Sequence, residues 1–225
     1  MIDLLPLAML GAILGLDVVC FPQAMISRPL IAATLGGAVA GEPSMGILVG
    51  VTLELIALAT LPFGASRYPE WGSAAVVGGG IAGALHHDSA GGLTIGVLAA
   101  LATAWIGGMT LVQLRLWNAW LARRKRPALD AGSRGAVIGL QLAGLSSDMI
   151  RAGLLTAGSY AALFPVARAI QGVWSISEPT SRAFVVGLAC AVAGAAAWTI
   201  FHSARGARWY FAGGLVVGFA ILMGR

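Results

Sequence analysis

The chain has 225 residues, of which 58% are hydrophobic and only 10% charged, and its mean hydropathy is +0.87. A surface so poor in charge excludes a water-soluble globular protein of this length. The net charge of +5 comes from fourteen basic residues against nine acids, and five of the fourteen fall between Arg123 and Arg134; such clustering reads as membrane topology and excludes a nucleic-acid surface. The composition therefore predicts an all-α, polytopic integral membrane protein.

Taken in order, Met1-Ile2-Asp3 carries no basic region of the kind that precedes a cleaved signal peptide, so the run Leu4 to Leu16 is read as a retained membrane segment. Pro22 interrupts any continuation. A helix broken before about 20 apolar residues is tolerated at membrane depth only where protein or water covers the freed backbone groups. Broken or re-entrant segments are thus expected beside several transmembrane helices. Asp17 and Gln23 flank this break. They either meet a polar ligand or serve structure alone, Asp17 as a helix-end acid and Gln23 as a partner for loose backbone. Cys20 and Cys190 lie far apart with no neighbouring ligands, which predicts two buried apolar cysteines and neither a disulfide nor a metal site.

The stretch from Arg28 to Arg67 is the most informative. Between its two arginines only Glu42 and Glu54 are charged. Glu42 sits at the break Gly41-Glu42-Pro43, whereas Glu54 stands alone within the run Met45 to Pro62. A mid-helix acid costs roughly 2.5–3.5 kcal/mol to insert, so it normally faces a cavity, a partner or a substrate. The runs Leu30 to Gly41 and Met45 to Pro62 have 12 and 18 residues. Two short segments meeting near membrane depth fit them better than full spans, and interrupted hydrophobic segments of this kind mark transporter sites. Gly46, Gly50 and Glu54 recur every four residues, about 40° apart around a helix, and small residues at that spacing admit a second backbone. Glu54 is thereby aimed into packed protein, either at a ligand or at a hydrogen bond that only fixes packing. Thr52, two residues away, falls on a different face.

Phe63 to Trp71 is turn-rich and aromatic, which predicts a membrane-surface segment or a lid. Ala74 to Leu85 is a short apolar run whose Gly78-Gly79-Gly80 suits close helix packing, because no Lys-Ser/Thr pair follows to make a phosphate loop. His86-His87 reads as a solvated turn, since sequential side chains diverge on a helix. Gly92 to Leu121 is the longest helical pattern and ends in Arg123-Arg124-Lys125-Arg126-Pro127, with Trp117 and Trp120 at its exit. That exit is placed on the cytoplasmic side. In the second half Asp148 and Arg151, three residues apart, predict an ion pair on one helix face. A break over Ser175 to Arg182, a span from Ala183 to Phe201 and a short segment from Trp209 to Met223 complete the chain. The organisation is one membrane-embedded unit over residues 1–225: an N-terminal half, 1–122, with the site, a cytoplasmic basic linker, 123–134, and a C-terminal half, 135–225. An intramembrane enzyme built on Ser146, Ser147 or Asp148 with His202 would lack an acid–base constellation.

Arg28-Pro29-Leu30-Ile31-Ala32-Ala33-Thr34-Leu35, with Gly41-Glu42, Gly46-Ile47 and Thr52-Leu53-Glu54-Leu55-Ile56-Ala57-Leu58, resembles the signature of the IIC subunit of the mannose/fructose/sorbose-type phosphoenolpyruvate-dependent sugar phosphotransferase system. Leu16-Asp17 and Gln23 extend the likeness, which is strongest from about Leu16 to Glu70; Ser66-Arg67-Tyr68-Pro69-Glu70 departs from it. The resemblance implies a non-catalytic permease subunit, without a cofactor, in the bacterial inner membrane. It would pair with a IID subunit, in oligomers of such pairs, bind a hexose, and present it to a cytoplasmic IIB phosphocarrier charged by IIA. Sugar hydroxyls are satisfied by carboxylates and amides, so Glu54 is assigned as the main acceptor. Asp17 and Gln23 are candidate co-ligands, Thr52 and Ser66 are further candidates, and Arg28 is assigned to anchor or pair. The alternatives are an ion-coupled transporter with Glu54 as its coupling site, or a regulatory IIC that has lost transport.

Overall fold

A computed structural model describes residues 4–17, 20–60, 67–85, 91–173 and 177–223. Among them every regular element is a helix: α1 (Leu4–Asp17), α2 (Pro29–Val39), α3 (Pro43–Ala57), α4 (Trp71–Leu85), α5 (Gly92–Asp130), α6 (Arg134–Val173), α7 (Glu178–Phe201) and α8 (Ala207–Met223). By length and composition α5, α6 and α7 can each cross a membrane, while α1 to α4 and α8 are apolar but short. The protein is a multi-pass membrane protein with broken segments, and Ser66 and the His86-His87 pair lie outside the described residues.

The breaks follow the local chemistry. Pro29 and Pro43 each stand at a helix start, where the missing N–H has no partner to lose. Gly41, at φ 86°, takes the left-handed conformation that closes the turn between α2 and α3. At 11 and 15 residues, these helices are about 16 and 22 Å long, well short of a hydrocarbon core. They run antiparallel. A Cβ on Gly46 would lie 2.4 Å from the carbonyl oxygen of Ala33, and one on Gly50 would lie 2.8 Å from the Cα of Leu30. The glycine face predicted for α3 is therefore the face that meets α2.

Helix α4 is the centre of the body. Thirteen of its fifteen residues are buried, and it packs against α1, α2, α3, α5 and α6. A helix rich in glycine is intrinsically weak, so this one persists through what surrounds it. A Cβ on Gly79 would stand 2.1 Å from the Ala33 carbonyl oxygen, and one on Gly36 would stand 2.4 Å from that of Val76. Backbone thus touches backbone where α2 crosses α4, and Leu7, Leu14, Leu53, Ile81 and Leu93 fill the space around the crossing.

Two elements depart from the sequence expectation. Helix α5 does not stop before the basic run: Arg123 to Arg126 are helical and the helix ends at Asp130, so only Ala131 to Ser133 form a turn before α6. Arginine and lysine are good helix formers, and Pro127 removes one hydrogen bond without ending the helix. Helix α6 likewise continues through Ser146-Ser147 and Pro165. Helix α8 touches α7 edge-on through Phe211 against Trp198 and leaves Trp209, Tyr210, Leu215 and Phe219 exposed.

Replacing Gly79 by leucine is expected to destabilise the protein by about 1–3 kcal/mol or more, because overpacking here meets backbone rather than a movable side chain. Gly213, where an added Cβ would have nothing within 4 Å, should accept leucine without loss. Thermal unfolding of the two variants in detergent checks this; equal melting temperatures would contradict the backbone contact.

Candidate functional site

The site is built from the turn between α1 and α2. Asp17 ends α1 and is 2% exposed. Its Oδ1 accepts the Ala24 N–H at 2.6 Å, and its Oδ2 accepts the Ser27 N–H at 2.9 Å and the Ser27 hydroxyl at 2.8 Å. One carboxylate thereby supplies the acceptors for a turn that has no helical partner, including Gln23 and Met25 at φ 59° and 61°. Gln23 itself is exposed on this turn.

Closure of the turn delivers Arg28 to the start of α2. Its guanidinium is paired with Glu54 Oε1, and the Leu30 N–H donates to Glu54 Oε2 at 3.3 Å. Glu54 therefore reaches from α3 to the N-terminus of α2, where unpaired N–H groups and the helix dipole favour a negative charge. The glycines of α3 make this reach possible. Unlike Asp17, the pair is open: the Arg28 side chain is 42% exposed and that of Glu54 24%. Asp17 and Glu54 share no hydrogen bond and are joined through the adjacent residues Ser27 and Arg28.

Thr52 is on the other side of α3, as its spacing predicts. It is 3% exposed, and its hydroxyl donates to the Leu48 carbonyl at 2.8 Å. It lines a cavity of 270 Å³ between α3, α5 and α7, with Thr94, Ser181, Leu101 and Val185 also in the wall. The Thr94 and Ser181 hydroxyls are bonded to each other, which leaves this cavity apolar in character.

A second polar centre lies deeper, and the sequence showed only part of it. The predicted pair forms: Arg151 Nε donates to Asp148 Oδ1 at 2.8 Å, with side chains 9% and 2% exposed. Arg151 Nη1 donates to the Thr110 hydroxyl at 3.2 Å, and the Cys20 thiol donates to Asp148 Oδ2 at 3.0 Å. Both cysteines are exposed, which corrects the expectation of two buried ones. A turn position explains Cys20, and outward placement on a loosely packed α7 explains Cys190.

Glu70 escapes the sequence reading altogether. The described part of the Phe63–Trp71 connection is neither at the surface nor a lid at this point, for Glu70 is 0% exposed. Its backbone N–H donates to the Ala104 carbonyl of α5 at 3.1 Å, and its carboxylate accepts the Ser73 N–H at 3.1 Å as it caps α4. Gly107 and Gly108 admit the segment: a Cβ at either would lie 2.6 Å from Glu70 Cβ or 2.7 Å from the Tyr68 carbonyl oxygen, respectively. The Glu-x-x-Ser spacing before a small-residue helix and the Gly-Gly pair on α5 were the legible signals.

A family model described as "PTS system sorbose-specific iic component" matches residues 1–146. The chain belongs to that family. Its sequence is 29% identical over 124 residues to the mannose-specific EIIC component of the PTS from Escherichia coli, a match covering 55% of this chain and 45% of that protein. The sorbose-specific EIIC component of Klebsiella pneumoniae is 36% identical over 88 residues, covering 39% and 32%. The fructose permease IIC component of Bacillus subtilis is 30% identical over 132 residues, covering 59% and 47%. These matches span less than half the length of each relative. In fold, the chain is similar to a solved membrane protein at a TM-score of 0.75 and 21% identity, covering 98% of this chain and 90% of that one. It is also similar to a chain from the cryo-EM structure of the mannose transporter ManYZ in complex with a microcin, at 0.62 and 20%, covering 98% and 85%.

Replacing Arg151 by methionine leaves Asp148 without its cation in a closed interior, and removing one partner of a buried pair costs about 3–5 kcal/mol. The variant is expected to lose its folded peak in size-exclusion chromatography or to melt far below the parent, whereas Arg126→Met, from an exposed pair, should not. A parent-like melting temperature for Arg151→Met would refute the buried network.

Proposed function

We propose that this chain is the sugar-binding IIC component of a mannose/sorbose-family phosphotransferase permease, and that Glu54 is the principal acceptor for the hydroxyls of a hexose. The reading rests on family membership for the reaction class and on one observation for the site. A carboxylate stands at a helix N-terminus between two broken segments, partly open, and held by a guanidinium and a backbone N–H. Such a group offers directional acceptors outside bulk lipid, which is what a polyhydroxylated neutral ligand needs. Arg28 orients Glu54. Asp17 acts one step back by shaping the turn that carries Arg28, and Gln23 stands on that turn as a further donor and acceptor. Thr52 opens into the apolar cavity and is a weaker candidate than Glu54; Ser66 remains assigned on the resemblance alone.

In the full system a IID subunit would complete the permease, in oligomers of IIC/IID pairs, and a cytoplasmic IIB protein, charged by IIA, would phosphorylate the sugar as it enters. The added charge disfavours return through an apolar path. The chain sits in the bacterial inner membrane with the Arg123–Arg134 segment cytoplasmic.

Glu54→Gln keeps the shape and removes the charged acceptor. Hydrogen bonds to charged groups contribute about 1.5–3 kcal/mol, so sugar affinity should fall about 10- to 150-fold. Uptake of labelled hexose into vesicles containing the partner subunits, driven by phosphoenolpyruvate, measures it. Unchanged binding and uptake would remove Glu54 from the site. Uptake that collapses with an uncoupler and yields unmodified sugar would replace the phosphotransferase reading by ion coupling.

A further inference from the structure

Helices α5 and α6 run on past the body of the protein. The last buried residue of α5 is Leu111 and the first of α6 is Asp148, and no residue from Val112 to Ser147 is buried. From Leu111 to Asp130 the helix advances about 28 Å, so the two helices form an arm that stands clear of the core. Its charge is lopsided. Arg115, Arg123, Arg124, Lys125, Arg126 and Arg134 face a single acid, Asp130.

Arg115 lies over the Tyr68 ring at 5.1 Å and belongs to the base of the arm. The other five cations are all exposed at its tip, and the Arg126–Asp130 contact, at 3.7 Å between side chains 78% and 71% exposed, neutralises little. Just inside the tip the arm is apolar: Leu116, Trp117, Val137 and Leu142 are 59%, 49%, 54% and 58% exposed. Trp117 and Trp120 stack at 4.9 Å, and the Arg124 guanidinium lies 4.8 Å from the Trp120 ring centroid.

We propose that this arm is a binding surface for the headgroups of anionic phospholipids, with the cations of its tip on the phosphates and the tryptophan pair at the level where headgroup meets acyl chain. The arm is continuous with two spans, so its apolar part leaves the body at membrane depth. Tryptophan prefers that boundary, and clustered Lys/Arg next to a span is attracted to an anionic leaflet. Charge complementarity favours lipid over the other occupants. A second copy would bring one cationic tip against another, whereas the exposed apolar side chains Leu116, Val137 and Leu142 next to the cations ask for an apolar layer beside an anionic one. A headgroup layer answers both needs.

The test uses the full chain in bilayer discs made of equal parts phosphatidylglycerol and phosphatidylcholine, each doped with one spin-labelled lipid. The immobilised fraction of each label gives the lipid preference. The parent is expected to prefer labelled phosphatidylglycerol by about fivefold or more, the factor that corresponds to one cation held at an anionic surface. Molar salt should abolish the preference by screening. Combined Arg123→Gln, Arg124→Gln, Lys125→Gln and Arg126→Gln should bring it near parity, while Arg205→Gln with Arg208→Gln, outside the arm, should leave it intact. A preference unchanged in the fourfold variant, or insensitive to salt in the parent, overturns the proposal. So does a change in oligomeric mass of that variant in pure phosphatidylcholine, which would give the arm to a protein partner; the salt titration of the parent decides even where the variant fails to fold.

Discussion

A carboxylate taken out of water between helices costs several kcal/mol unless donors meet it, and three acids of this chain, Asp17, Glu70 and Asp148, are 2% exposed or less. Each is met differently. Asp17 takes backbone N–H and hydroxyl donors from a turn; Glu70 takes an N–H at a helix start; Asp148 takes a guanidinium and a thiol. These donors come from the α1–α2 turn, from the first turn of α4, and, for the Asp148 guanidinium partner, from the same helix α6. The acids are therefore what fixes the irregular parts of the chain: the α1–α2 turn is held at Cys20 by α6 and at Ala24 and Ser27 by α1. Arg28 follows directly, so the place from which its guanidinium meets Glu54 is a consequence of where Asp17 and Asp148 lie.

The same economy explains the glycines. Short, broken helices bury little side-chain surface, so they gain cohesion by approaching until backbone meets backbone, and α2 does this against both α3 and α4. Along α6 to α8 the pattern reverses: Gly158, Gly187, Gly213 and Gly218 have open space where a Cβ would point. The body is a packed unit of α1 to the first half of α5 together with the face of α6 that meets α1 and α4, and α7 and α8 turn most of their residues outward.

Features fixed by neighbours in sequence were legible. Pro22, Gly41 and Pro43 break helices through their own covalent chemistry, and the four-residue spacing of Gly46, Gly50 and Glu54 defines a face wherever the helix goes. The Asp148–Arg151 pair is likewise local. What escaped reading depends on partners far along the chain: Cys20 bonds a residue 128 positions away, and Glu70 is buried only because α5 has two glycines where the segment crosses it. The end of α5 was misplaced for a third reason. The basic run reads as the exit from the helical pattern, but its residues favour the helix, and Pro127, near the helix end, costs one hydrogen bond.

The one acid of the site left partly open then acquires a meaning that its burial alone did not give. Asp17, Glu70 and Asp148 have their oxygens committed inside closed surroundings, so opening any of them to a ligand would first break structure. Glu54 differs in both respects, since its partner Arg28 is itself 42% exposed and the contact from Leu30 is long at 3.3 Å. A flexible guanidinium with a route to water can yield a carboxylate oxygen to a ligand hydroxyl and keep its own charge solvated. The turn fastened by Asp17 sets where that guanidinium starts from, and α3 sets where the carboxylate stands. The binding role proposed for Glu54 needs a group that is rigidly placed but not fully satisfied, and among these four acids Glu54 combines those two conditions.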